Sequence, residues 1–192
     1  MILVESMSKD EIITHNVTAG CNSDINILQL PVSDELNNNL IESIKNNIDP
    51  EYSKFKVKAC MTTWTLYNNY IEKLHKLIKK YAPVAKTWIE HFMFIQTWGI
   101  IYKHNQYSDP HHHWPFTWSW IYYAQVDDKS SPLTVYNIAD KNGKLSSIKL
   151  APKPRQLFFF PSYITHGVEK NTERKWRIVL SGDIILQKGD ND

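Results

Sequence analysis

The rhythm of apolar and polar positions changes once along this chain, near residue 88. Upstream, Ile25 and Ile27 alternate with polar neighbours in "DINILQL" (Asp24–Leu30), the two-residue period of a strand. The pattern then turns helical. Leu36, Leu40, Ile41 and Ile44 recur on one side, Ser33 stands where an N-cap belongs, and Asp34 and Glu35 give an acidic first turn. A second helix is predicted within Thr62–Pro83, with Tyr70, Ile71, Leu74, Leu77, Ile78 and Tyr81 as its apolar stripe and Pro83 as its stop. On that helix "KLIKK" (Lys76–Lys80) reads as a solvated face, and His75 as a surface histidine. The first ~20 residues lack a clear period and read as a loose arm or an edge strand.

From Trp88 onward the pattern is that of strands. "TWIEHFMFIQTWGIIYKH" is aromatic and β-branched with partial alternation. Short apolar runs follow, separated by turn signals: "WSWIYYAQV", "LTVYNIA", "SSIKLA", "QLFFFP", "THGVEK" and "WRIVLSGDIIL". Asn142-Gly143 is a hairpin turn signal. The spacing, about 8–12 residues, is that of an all-β sandwich or barrel. The expected fold class is mainly β with packed helices (α+β), in one domain over residues 1–192. N-terminal strand and helices fill about 1–87 and a β-core about 88–188.

Composition adds bounds. Hydrophobic residues are 42% and charged residues 22%, so the chain is of the globular kind. Seven Trp and ten Tyr need a core or a pocket to sit in. The net charge of +2 does not indicate a nucleic-acid partner. Cys21 and Cys60 make no disulfide framework and fit a reducing cytosol. No signal peptide and no membrane span is predicted, and a cytoplasmic location is expected. A homodimer is compatible with the sequence.

The chemistry concentrates in "SDPHHHWPFTWSWIYY" (Ser108–Tyr123). On a regular strand His111 and His113 share a face, and His112 points the other way between Pro110 and Trp114, neither of which binds a metal. The third ligand must then come from elsewhere. Among His15, His75, His91, His104 and His166, the last stands out: it follows the apolar "QLFFFPSYI" and lies 53 residues beyond His113 (166 − 113). Asp109 is the alternative ligand. It shares the face of His111, and Asp109 and His111 with His166 would give two histidines and a carboxylate, the set of non-haem Fe(II) oxygenases. Pro110 fits equally well with Asp109 in a turn. The plain alternative is a solvated, histidine-rich loop.

Three stretches together resemble the 2-oxoglutarate/Fe(II) oxygenase family of phage and bacterial type. The first is Trp98, then His111-x-His113, then Ser119 with Ile121-Tyr122-Tyr123. The second is "PKPRQLFFFPSYITHGV", with its Pro-rich turn, apolar strand, Phe-Pro-Ser and distal His166. The third is "RIVLSGDI", whose Arg177 lies 11 residues after His166 (177 − 166). "MTTWTLYNNYIEKLHKLI" is similar to the family's upstream Trp and helix, and the likeness spans roughly Ile25 to Leu186. Two positions depart from the family: Trp120 and Arg155 stand where it has glycine, and a bulky residue at either place is expected to reshape the pocket mouth.

The resemblance implies a double-stranded β-helix (a jelly-roll or cupin-like barrel) behind N-terminal helices. It also implies an Fe(II)- and 2-oxoglutarate-dependent dioxygenase that hydroxylates a substrate and releases succinate and CO2. His111, His113 and His166 would bind the iron and serve catalysis. 2-Oxoglutarate would take two iron positions and place its far carboxylate on Arg177, whose planar guanidinium can grip a carboxylate through two parallel hydrogen bonds. Lys175, on the same face, competes for that role. Tyr123 and Ser119 would contact the cosubstrate, with Tyr102 and Tyr107 as further candidates. Trp114, Phe116 and Trp118 would wall the cavity or join the core. The substrate class stays open among small molecules, peptidyl side chains and nucleobases. The competing reading is a non-catalytic cupin-like module that binds a metal or ligand and leaves Arg177 without a partner.

Overall fold

The structure, a computed structural model, describes residues 14–19, 23–51, 56–82, 92–139 and 145–186. The two predicted helices are α1, Asp34–Lys45, and α2, Asn69–Tyr81. Ser33 caps α1 by accepting the Leu36 N–H, as its position predicts. Asn68 does the same for α2, and Ala82 is already extended at the helix end. Pro83 lies outside the described residues.

The strands are β1 (Thr14–Ala19), β2 (Ser23–Gln29), β3 (Ile48–Asp49), β4 (Val57–Lys58), β5 (Cys60–Thr62), β6 (Phe92–Tyr102) and β7 (Tyr107–His111). They continue as β8 (Trp118–Gln125), β9 (Leu133–Ala139), β10 (Leu145–Leu150), β11 (Gln156–Pro161), β12 (His166–Val168) and β13 (Arg177–Leu186). One antiparallel sheet runs β1-β2-β11-β8-β13-β6-β5-β3, the other β10-β9-β12-β7-β4. β1 is thus an edge strand, one of the two roles foreseen for the N-terminal region. β9 and β10 pair as the predicted hairpin, although Asn142-Gly143 lies outside the described residues. So do Cys21 and His91; Cys60 is a free thiol.

Alternation splits the large sheet into two faces. Trp120, Tyr122, Leu157, Phe159, Ile178 and Leu180 face the helices and pack with Leu40, Ile44, Ile71, Leu74 and Ile78. Trp98, Ile100, Ile121, Tyr123, Phe158, Phe160 and Val179 face the small sheet and pack with Val57, Leu133, Val135 and Val168. The first layer closes one side of the sheet; the second lines the space between sheets, where the site lies. Gly99 permits the first. A Cβ there would lie 2.6 Å from Ile44 Cγ1 and Cγ2, so only glycine lets α1 press this close to β6.

One sequence expectation changes here. His75 is half-buried, not a solvated surface residue. Its ring stacks on Phe94 at 3.8 Å, and its Nε2 lies 2.9 Å from Thr97 Oγ1. Burial lowers its pKa to about 4. Of the two roles open to Trp118, wall or core, it takes the second: it stacks on Phe159 at 5.0 Å against the helix-facing core.

Candidate metal and cosubstrate site

His111 ends β7, and His166 opens β12 as its direct cross-strand partner. His113 is beyond the strand, so the alternation that put it beside His111 does not operate. Its backbone N–H instead donates to the Ser162 carbonyl just after β11. That bond turns the ring back toward the other two. One ligand atom from each of His111, His113 and His166 can be chosen so that all lie within 4.8 Å of one another. Ring centroids are 5.2 Å apart for His111–His113, 4.6 Å for His111–His166 and 5.1 Å for His113–His166.

Each ring has its Nδ1 engaged on the far side. His111 Nδ1 lies 2.7 Å from the Asp109 carbonyl, His166 Nδ1 2.9 Å from the Ile164 carbonyl, and His113 Nδ1 2.8 Å from Asp183 Oδ1. These partners only accept, so each Nδ1 must carry the proton. Each Nε2 then presents a lone pair, the arrangement of metal-bound imidazoles. Burial favours the neutral, ligating form: His111 is lowered to about 4, and His166 well below its ordinary value. These residues fit a divalent metal.

His112 is exposed, and its Nδ1 accepts the Trp114 N–H. The Asp109 carboxylate is not among the convergent groups; Asp109 sits in β7, its carbonyl serves His111, and its N–H donates to Lys56. Asp183, which sequence reading passed over, is fully buried on β13 and accepts from both His113 and Ser119. Its only sequence signal was its place two residues after Ser181, on the alternation that carries Arg177, Val179 and Ser181 inward.

Between the sheets a narrow recess of about 30 Å³ is lined by the three histidines, Tyr102, Ser119, Phe160 and Arg177, among others. Arg177 is 1% exposed. Its Nη1 donates to the Ser131 carbonyl, and its guanidinium lies 5.3 and 5.1 Å from the Tyr102 and Tyr123 ring centres. No carboxylate among the described residues pairs with it. Arg177 Nε and Tyr123 Oη are both buried without a hydrogen-bond partner. A buried cation with free donors at the end of a recess fits a carboxylate ligand. Lys175 is exposed, which removes it as the competitor. Neither Tyr107 nor Tyr123 is among the residues that line the recess, but the Tyr123 ring lies against Arg177. Ser119 lines it, but its hydroxyl is committed, 2.7 Å from Asp183 Oδ1 and 2.8 Å from Ser162 Oγ. Only one of the two departures lies away from the recess. Arg155 adopts φ 64°, a left-handed backbone that favours glycine, and its side chain pairs with Asp34 on α1; Trp120 is buried in the helix-facing core and is also among the residues that line the recess.

Residues 96–183 match the sequence model of the family described as "Putative 2OG-Fe(II) oxygenase". This segment holds the three histidines and Arg177 and ends on Asp183. The matched stretch, just under half of the chain, is similar to the 2OG-Fe(II) oxygenases. The chain also resembles solved structures in fold. One is a viral collagen prolyl hydroxylase from Paramecium Bursaria Chlorella virus-1 in complex with 2OG, at 17% identity and TM-score 0.60, covering 83% of this chain and 94% of that one. Another is a prolyl-4-hydroxylase from Pseudomonas putida, at 11% identity and TM-score 0.66, covering 87% and 95%. A third is the non-heme alpha ketoglutarate dependent carbocyclase SnoK of nogalamycin biosynthesis, at 10% identity and TM-score 0.63, covering 86% and 83%. No curated protein matches the chain in sequence. The expected jelly-roll barrel and the cofactor pair, Fe(II) and 2-oxoglutarate, agree with these findings. Among the described residues no helix is long and apolar enough to cross a membrane.

Beside the recess, a larger cleft of about 420 Å³ opens past the metal-facing histidines. Val57, Met61, Trp64, Trp98, Trp114 and Phe116 give it an apolar, aromatic wall, with Lys56 and His112 at its polar part. Trp114 is 68% exposed.

Proposed function

We propose that His111, His113 and His166 hold Fe(II) and that Arg177 and Tyr123 hold the far carboxylate of 2-oxoglutarate, in an oxygenase that hydroxylates a small-molecule or peptide substrate. The observation that carries this reading is the pairing of two features in one recess. Three imidazoles converge, and an unpaired, buried guanidinium shares the same wall. A cupin-like binding module needs the first and has no use for the second.

With iron and 2-oxoglutarate bound, the site would activate dioxygen as the oxidant, one oxygen atom entering succinate and the other the substrate, with CO2 released. The chain's own residues do the positioning. The Nδ1 bonds of the three histidines fix the ring planes. Arg177 sets the depth of the cosubstrate and, with Tyr102 and Tyr123 around it, keeps water from its carboxylate. Trp64, Trp98, Trp114 and Phe116 favour an aromatic, aliphatic or peptidyl group in the cleft over a polyanion. The test is anaerobic addition of Fe(II) and then 2-oxoglutarate to the full chain. A visible charge-transfer band that needs both, and iron-dependent succinate formation in air, are expected. Metal binding with neither would leave the binding-module reading standing.

A further inference from the structure

Asp183 is not explained by ligand or cosubstrate binding. Its side chain has no exposure, and Oδ1 accepts from His113 Nδ1 at 2.8 Å and from Ser119 Oγ at 2.7 Å, while Ser119 accepts from Ser162. Its Oδ2 is buried without a hydrogen-bond partner. No Lys or Arg among the described residues pairs with it; its one ion-pair contact is His113. A buried carboxylate is costly unless positive charge lies within reach. A dication held by His113 on its opposite nitrogen would meet that need. Asp183 is not itself among the groups that converge on the site, so it does not complete the ligand set.

We infer that Asp183 is a positioning residue that supplies, through the His113 ring, the carboxylate charge which a three-histidine site lacks. The usual two-histidine, one-carboxylate set has its negative charge on the metal. Here the charge stands one imidazole further out. It holds His113 in the Nδ1–H tautomer and makes its Nε2 a stronger donor, which raises metal affinity. The Ser162–Ser119–Asp183 chain links the end of β11, β8 and β13, so three strands fix the carboxylate against His113.

The inference rests on the proposed metal site, and one experiment separates the two. Co(II), whose visible bands report its ligand field, is titrated anaerobically into the full chain as wild type, Asp183→Asn, Asp183→Ala, Ser119→Ala and His111→Ala. Asp183→Asn keeps the size and can offer its amide oxygen to His113 but carries no charge. It is expected to bind Co(II) about 10-fold more weakly, with shifted bands, and Asp183→Ala up to about 100-fold more weakly. Ser119→Ala removes one donor and leaves the charge, so its bands should match wild type. If Asp183→Asn shows wild-type affinity and bands, the inference is wrong. A merely structural Asp183 would lower the melting temperature and leave the spectrum of folded protein unmoved, which also overturns it. Should Asp183→Ala fail to fold, Asp183→Asn decides alone. If wild type binds no Co(II), or His111→Ala binds it equally well, the metal site itself falls and the inference with it. If only His111→Ala loses Co(II), the site stands and the inference falls.

Discussion

Replacing Arg177 by Met should move two measurements differently. In the cosubstrate-bound state, the guanidinium would make charge-assisted hydrogen bonds to a carboxylate inside a recess where Arg177 is 1% exposed. Leaving one partner of such a buried pair uncompensated costs about 3–5 kcal/mol. At about 1.4 kcal/mol per tenfold, that is a loss of roughly 10²–10³ or more in 2-oxoglutarate affinity. Without cosubstrate the balance differs. The guanidinium then has one bond, to the Ser131 carbonyl, and two Tyr faces to offset its desolvation. Losing that bond costs on the order of 1 kcal/mol, while an apolar replacement removes a buried, unpaired charge. Stability of the free protein should therefore change by no more than about 1 kcal/mol in either direction. Anaerobic titration of the Fe(II)·2-oxoglutarate charge-transfer band gives the first quantity, and urea unfolding without ligands gives the second. Wild-type cosubstrate affinity in Arg177→Met would refute the assignment. A loss of several kcal/mol in the free protein would mean that the guanidinium is a structural element of the core.

Two more outcomes follow from the same geometry. Alanine at His111, His113 or His166 should each abolish tight Fe(II) binding, whereas His112→Ala, at an exposed ring outside the cluster, should bind as wild type; isothermal titration separates them, and a strong loss in His112→Ala would disprove the grouping. His75 has a folded pKa of about 4, below the ordinary 6.5, because burial disfavours its charged form. The unfolded chain therefore takes up a proton first. The stabilising contribution is fully present above about pH 6.5 and is lost as pH falls toward 4, by roughly 1.4 kcal/mol per pH unit at most. In His75→Phe, which keeps the stack on Phe94, unfolding free energies at pH 7 and pH 5 should differ less than in wild type; an equal difference would refute the burial account.

Local patterns were enough for much of this molecule. Ser33 and the spacing of Leu36, Leu40, Ile41 and Ile44 specify α1, because a cap and a 3.6-residue stripe act within one turn or two. The alternation of β8, β11 and β13 likewise assigns each residue to a face, and alternation, spacing and the resemblance together singled out His111, His113, His166 and Arg177 as candidates. What alternation misjudged was the route. His113 lies beyond β7, and a hydrogen bond to Ser162, 49 residues away (162 − 113), turns it inward. Other answers were equally long-range. Asp109 lends its carbonyl rather than its carboxylate because β7 is pinned to Lys56. His75 is half-buried because β6 brings Phe94 beneath it. Asp183 meets His113 across 70 residues of chain. Composition and period act over a few residues and decide which elements form. Which side chains share a buried volume depends on how the sheets close, and only the tertiary structure decides that.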